Sequence, residues 1–263
     1  MVFTFPQTPD QAFVMLVPFL TLVIGVLYLV FPRHILHFCG VEAIDGKPHA
    51  IGEGRSSYAG ILIACGAGCL FLQEPLALQP GLNLMLAFAW LIAGFGIMIQ
   101  GLVDDGLDFR VFGRMLLSFI LGSVALQTAE LLAINPQMPR FGADWVFASV
   151  AVLSAGLGLI SLFIPKIALK ILKLKPQETF PYAKGEPRGV LAGFYLSLGM
   201  IYLLIPQAQL FLGFVLAGAW LFTGIGRFVS ILADRGATLY NFAGVLFEAG
   251  IGCLLLALLF GVI

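Results

Sequence analysis

Within the stretch Trp220–Gly252, WLFTGIGRFVSILADRGATLYNFAGVLFEAGIG, Arg227 and Glu248 sit inside two otherwise apolar runs. Opposite charges in such surroundings can do three things: staple two helices together, receive the polar head of a ligand, or exchange a proton. A lone charge near the middle of a bilayer costs at least about 2.5–3.5 kcal/mol on insertion scales, so intramembrane ionisable residues pair or face water. Arg227 lies seven residues before Asp234, which ends its run, and so stands roughly 10 Å from that surface at about 1.5 Å per residue. Glu248 lies nine residues into the returning run, at a depth of roughly 13 Å by the same rise. The matched depths predict an Arg227–Glu248 ion pair. Thr223, Arg227, Ser230 and Asp234 share one helix face, and Gly244, Glu248 and Gly252 share the facing one, where glycines leave room for a long partner.

An earlier stretch, Trp90–Gly122, repeats this frame without the two charges: Ile97 stands at the place of Arg227 and Ser118 at the place of Glu248. Both are missing together, as expected if each neutralises the other. Copying the first half, Arg227→Ile with Glu248→Ser, is therefore expected to recover much of what either loss alone costs. A second constellation occurs in both halves. Glu53 and Arg55 open one apolar run, and Glu186, Pro187 and Arg188 open another. Proline suits a first helical turn, and a glutamate there favours the positive end of the helix dipole. Hairpin neighbours would let Arg55 reach Asp104 and Arg188 reach Asp234, a clasp in each half.

These side chains have to be positioned by membrane helices. Of the 263 residues 60% are hydrophobic and only 11% charged, far below the roughly 25% charged of soluble domains. Runs of about 20 apolar residues match a hydrocarbon core about 30 Å thick, and eight occur, near 12–31, 56–73, 82–103, 112–132, 145–165, 189–206, 211–233 and 239–261. The two halves align at an offset of 133 from Gly52 to Gly185 and of 130 from Trp90 to Trp220, a tandem repeat. The expected fold is all-α: eight transmembrane helices as two parallel four-helix repeats, residues 1–138 and 139–263, related by a pseudo-twofold axis along the membrane normal. The connections after odd-numbered runs hold nearly all the Lys and Arg, Arg114 among them, while the other side holds Arg140. Basic loops inside put both termini outside, periplasmic for a bacterial inner membrane.

Small residues Gly60, Ala64 and Gly68 form a close-packing stripe, matched by Gly193 and Ser197. Trp90, Trp145 and Trp220 read as an aromatic belt. The segment Lys166–Lys175 alternates lysines with apolar residues and suits either an interfacial helix on anionic lipid or a solvated charge run. His34 and His37 share a face but lack a third ligand, so no metal site is expected.

From GEPR through GR-x-x-S-x-x-x-D-x-G to the glutamate of the last run, the second half resembles the bacterial DUF4345 family of four-helix membrane proteins. The residues carrying the resemblance are Glu186, Arg188, Gly226, Arg227, Ser230, Asp234, Gly236 and Glu248. The first half keeps Glu53, Arg55, Gly96, Asp104 and Gly106 but departs at Ile97 and Ser118. The resemblance implies a four-helix membrane fold and no activity, since the family's function is unknown.

No nucleophile elbow, phosphate loop, zinc spacing or metal-binding carboxylate cluster occurs, no cofactor is indicated, and no nucleic-acid partner is expected. Three readings follow. The first is a non-catalytic membrane protein that binds a lipophilic or amphipathic small molecule, such as a lipid, quinone or pigment, with Arg227 and Arg188 receiving its polar head. The second is an accessory or assembly subunit of a larger membrane complex. The third is a proton-coupled carrier or lipid-modifying enzyme using Glu248 as proton acceptor.

Overall fold

The structure, a computed structural model, describes residues 9–44, 50–72, 79–103, 108–129, 134, 136–140, 142–177, 185–234 and 236–262. Its helices are α1 (Pro9–Val30), α2 (Pro32–Phe38), α3 (Ala50–Phe71), α4 (Gln79–Val103), α5 (Phe109–Gln127), α6 (Gly142–Phe163), α7 (Pro165–Ile171), α8 (Ala192–Leu204), α9 (Gln209–Ala233) and α10 (Leu239–Leu259). A π-helical turn, Pro187–Leu191, leads into α8, and a 3₁₀ turn, Pro206–Ala208, into α9. Proline opens both short helices. Pro32 and Pro165 occupy first-turn positions of the short helices α2 and α7, where a missing N–H costs nothing, and α1 and α2 meet at a bend of 110°.

Strands β1 (Val41–Ala43) and β2 (Leu174–Pro176) pair antiparallel, with Glu42 opposite Lys175. Their side chains form an ion pair at 3.4 Å. Gln177 locks the same corner: its N–H donates to the Gly40 carbonyl at 2.8 Å, and its side-chain amide meets His37 Nδ1 at 2.8 Å. The segment Lys166–Lys175 is thus a short helix followed by a turn and a strand. Ala168 and Leu169 of α7 face the protein while Lys166, Ile167, Lys170 and Ile171 face outward.

Among the described residues, six helices have the length and apolarity to cross a membrane: α4, α5, α6, α10, and α8 and α9 with their leading turns. The bent α1–α2 pair makes a seventh if counted as one span. The remaining expected span is α3, which is 22 residues long but carries Glu53, Arg55, Ser56 and Ser57 near its start. Outward faces are strongly apolar, with Leu246 at 76% and Leu232 at 72% exposure and a run of Phe112, Leu116, Leu117 and Ile120 along α5. Apolar surface on that scale is foreign to a water-facing monomer and gives the molecule its membrane-like character.

The helices pack in two groups, α1, α3, α9 and α10 in one and α4, α5, α6 and α8 in the other. Each group takes two helices from before residue 138 and two from after it. The expected hairpin neighbours are therefore not the main partners: α3 packs extensively on α9 and only marginally on α4, and α8 packs on α4 far more than on α9. Absent side chains make these crossings close. A Cβ at Gly60 would run into the backbone of Thr223, and one at Gly193 into that of Ala89 and Ala93. Gly52 lies against Ser230, and Gly185 against Gln100. The small-residue stripe expected on α3 is present, but it serves α9.

Two of the three tryptophans depart from the expected belt. Trp90 and Trp220 are buried, with indole N–H groups donating to Thr21 Oγ1 at 2.9 Å and Ser154 Oγ at 3.3 Å. Trp145 is exposed. A buried indole N–H needs an acceptor, and the hydroxyls on α1 and α6 supply it, so these rings are core pieces.

Candidate functional site

Three helices converge on one guanidinium. α9 carries Arg227, α10 carries Glu248 and Asn241, and α3 carries Glu53; all four are buried. Arg227 Nε donates to Glu248 Oε2 at 2.9 Å and Nη2 to Oε1 at 2.5 Å, a bidentate fork. Nη1 donates to Glu53 Oε1 at 2.5 Å and to Asn241 Oδ1 at 3.4 Å. Four of the five guanidinium N–H groups are thus taken by protein acceptors. The local sequence places these groups. Thr238 caps α10 by accepting from the Asn241 N–H at 3.3 Å, and the Asn241 amide donates to the Gly236 carbonyl at 2.8 Å, which turns its oxygen toward Arg227. Gly244 leaves the space through which the arginine passes, since a Cβ there would stand 2.6 Å from Nε.

The expected Arg227–Glu248 pair is present, but it is incomplete as a description. Glu53, which the sequence placed in a first-half clasp with Arg55 and Asp104, is the third member. With two carboxyl groups on one guanidinium, the cluster has one acid group more than the cations that contact it.

The clasp itself is corrected. Asp234 forms an ion pair with Arg55 Nη2 at 3.0 Å and lies 3.9 Å from Arg33 Nη2; it is not the partner of Arg188. Arg188 Nη1 donates to Gln100 Oε1 and Nε to the Leu162 carbonyl at 3.2 Å, much as Arg55 Nη1 donates to the Leu29 carbonyl at 2.8 Å. Arg188 therefore does not reach the Arg227 cluster as a second head-group receptor. Asp104 lies outside the described residues. Ser230 is buried against Gly52 and its Oγ has no hydrogen-bond partner among the described residues.

Glu186 sits in a second cluster. It pairs with Arg114 of α5 and accepts a hydrogen bond from the Tyr28 hydroxyl. Arg114 reads from the sequence as a basic residue of a connection, yet it holds a buried carboxylate. In the repeat frame Arg114 falls at the place of Gly244, just as Ile97 falls at that of Arg227. The cation of the first half is therefore not absent: it is supplied from the neighbouring helix.

The two clusters differ in what lies beside them. Next to Glu186, the rings of Tyr28 and Tyr58 stack with centroids 5.0 Å apart, both buried. At the matching places beside Glu53 the chain has Ser161 and Leu191. There a cavity of about 240 Å³ opens, lined by Glu53, Arg227 and Glu248 together with apolar residues that include Leu157, Leu191 and Trp220. Ile171, Tyr240 and Phe247 also line it and are about half exposed, so they form its mouth.

Fold and site together define a class: an all-α protein of membrane-like character with a buried guanidinium–carboxylate cluster lining a cavity. Comparison with protein-family models, with curated proteins and with solved structures returns no match.

Proposed function

We propose that this chain is a multi-pass protein of a bacterial inner membrane that binds a lipophilic or amphipathic small molecule, without catalysis, in the cavity beside Arg227. Eight helices cross the bilayer, α3 included, in two parallel four-helix repeats related by an axis along the membrane normal. Both termini lie outside. The matched close contacts of Gly52 with Ser230 and of Gly185 with Gln100, at the offsets of the repeat, support that arrangement. A glutamate and an arginine near the start of α3 remain admissible because Arg227 and Asp234 meet them. The likeness to the DUF4345 family belongs to the same proposal, with the present chain a fused pair of such units that exchange helices.

One observation carries the binding reading: equivalent space in the first half is filled by the stacked Tyr28 and Tyr58, whereas beside Glu53 it is open. Close packing is the rule in protein interiors, and a cavity lined by both charged and apolar side chains, the half-exposed Ile171, Tyr240 and Phe247 among them, suits an amphipathic ligand. The test is to close it. The double substitution Ser161→Tyr with Leu191→Tyr copies the first half, and native mass spectrometry of the purified protein then compares bound small molecules. The wild type is expected to retain a ligand that the filled variant lacks at unchanged folding. A ligand kept equally by both would place binding elsewhere.

A further inference from the structure

We infer that the charged lining of this cavity receives a cationic, hydrogen-bond-donating head, and that the ligand class is a short amphipathic amine. This deepens the binding reading above and rests on it. The argument starts from charge. Beside Tyr28, Glu186 meets Arg114, one anion against one cation, and that side is filled. Beside the cavity, Glu53 and Glu248 share Arg227 alone, so the side with empty volume is also the side with an uncompensated carboxylate. Burying such a charge without a counter-ion is costly. A cationic head beside Glu53 would balance it.

Hydrogen bonding points the same way. Arg227 has spent four of its five donors on Glu53, Glu248 and Asn241, which leaves little for an anionic head. The carboxylates have acceptor capacity in hand: no donor among the described residues meets Glu53 Oε2, and each oxygen of Glu248 accepts once. An ammonium group supplies both the missing charge and the missing N–H donors, whereas a carboxylate or phosphate head would add a third anion. At the mouth, the Tyr240 ring is already met by two cations of the chain, Lys173 Nζ at 3.1 Å and the Arg227 guanidinium carbon at 5.8 Å from its centroid, so an ammonium head is held by the carboxylates and not by this ring. Size sets the tail. An engineered cavity of about 150 Å³ holds one benzene; in proportion, a volume of about 240 Å³ takes roughly ten heavy atoms.

The experiment uses the full chain in lipid nanodiscs and three probes with one tail: n-octylamine, n-octanol and octanoate. Calorimetric binding to the Ser161→Tyr, Leu191→Tyr variant is subtracted as partition into lipid. Octylamine is expected to bind about tenfold more tightly than octanol, the scale of a hydrogen bond to a charged partner, and octanoate more weakly than either. Glu53→Gln keeps an acceptor for Arg227 while neutralising the surplus; it should reduce the amine's advantage several-fold and leave octanol unchanged. Octanoate binding as well as the amine, or amine and octanol binding equally, overturns the charge inference while the cavity reading stands. No saturable binding of any of the three to folded wild-type protein overturns both.

Discussion

Moving the cation by one helix is the sharpest test of the site. Arg227→Ile removes a guanidinium held by two carboxylates and leaves Glu53 and Glu248 buried with no counter-ion. Breaking a buried pair in this way costs about 3–5 kcal/mol. Near about 2–4 °C per kcal/mol for a chain of this size, the melting temperature should fall by roughly 10 °C. Gly244→Arg alone is also harmful, because its Cβ would stand 2.6 Å from Arg227 Nε and a second cation would crowd the first; overpacking of this kind costs about 1–3 kcal/mol. Combined, the two substitutions reproduce the first-half arrangement, in which Ile97 stands at the place of Arg227 and Arg114 binds the carboxylate from the adjacent helix. The double variant should then regain most of the loss, a favourable coupling of at least about 2 kcal/mol in the double-mutant cycle.

Thermal unfolding in detergent, followed by far-ultraviolet circular dichroism, measures all four corners of that cycle. Additive losses would refute the claim that the guanidinium occupies one site reachable from either helix. The same geometry corrects the rescue expected from the sequence. Arg227→Ile with Glu248→Ser leaves Glu53, at 2% exposure, without a cation and so should recover only part of the stability. Adding Glu53→Gln to that pair completes the neutralisation, and the triple variant should be the more stable of the two.

Two further predictions concern the packing. Val215 Cβ stands 3.6 Å from a Cβ placed at Gly68, within the span of about 3.5–4.5 Å that a disulfide bridges. Gly68→Cys with Val215→Cys, in a Cys65→Ala, Cys69→Ala background, should therefore cross-link on oxidation and hold the two halves together after proteolysis between residues 134 and 141; separate halves on a non-reducing gel would mean that α3 does not dock on α9. Gly96 and Gly156 should respond to alanine in opposite directions. At Gly96 the new Cβ meets the Arg188 carbonyl, so a loss of about 1–3 kcal/mol is expected, whereas Gly156 faces open space and should gain about 0.5–1 kcal/mol; equal shifts in melting temperature would remove the crossing of α4 with the π-helical turn before α8 as the cause.

Much of this site could be read from the chain because depth in a helix is linear in residue number. Arg227 and Glu248 meet as their distances from Asp234 and Leu239 imply, and Gly244 makes the room that a long side chain needs. Partner choice was harder to read. Two halves that align in sequence offer each second-run helix two third-run helices with nearly the same frame, and the stripe Gly60, Ala64, Gly68 fits either one. Hydropathy is equally silent between them. The choice is made in three dimensions, where Gly52 meets Ser230 and Arg55 meets Asp234, so the expected bond from Arg188 to Asp234 does not form. Trp90 and Trp220 were misleading for a related reason. Position along a run suggested an interface, but the acceptors that let an indole be buried, Thr21 and Ser154, lie on other helices.

Arg114 marks the limit of comparing repeats column by column. Its own column holds Gly244, and the column of Arg227 holds Ile97, so each comparison separately records a loss or a gain. Only the helix pair conserves the charge. Once the cation is credited to α5, the contrast between the halves becomes a linked set. Tyr28 donates to Glu186 and fills the space beside it with Tyr58. Ser161 is too short for either task, and its hydroxyl turns back to the Leu157 carbonyl at 2.8 Å. With no tyrosine donor at Glu53, the arginine alone serves that carboxylate, while Glu248 adds an acceptor where the first half has Ser118. Loss of ring volume and gain of a carboxylate thus fall at the same place, and both make room for something that is small, apolar along its length and positively charged at its tip.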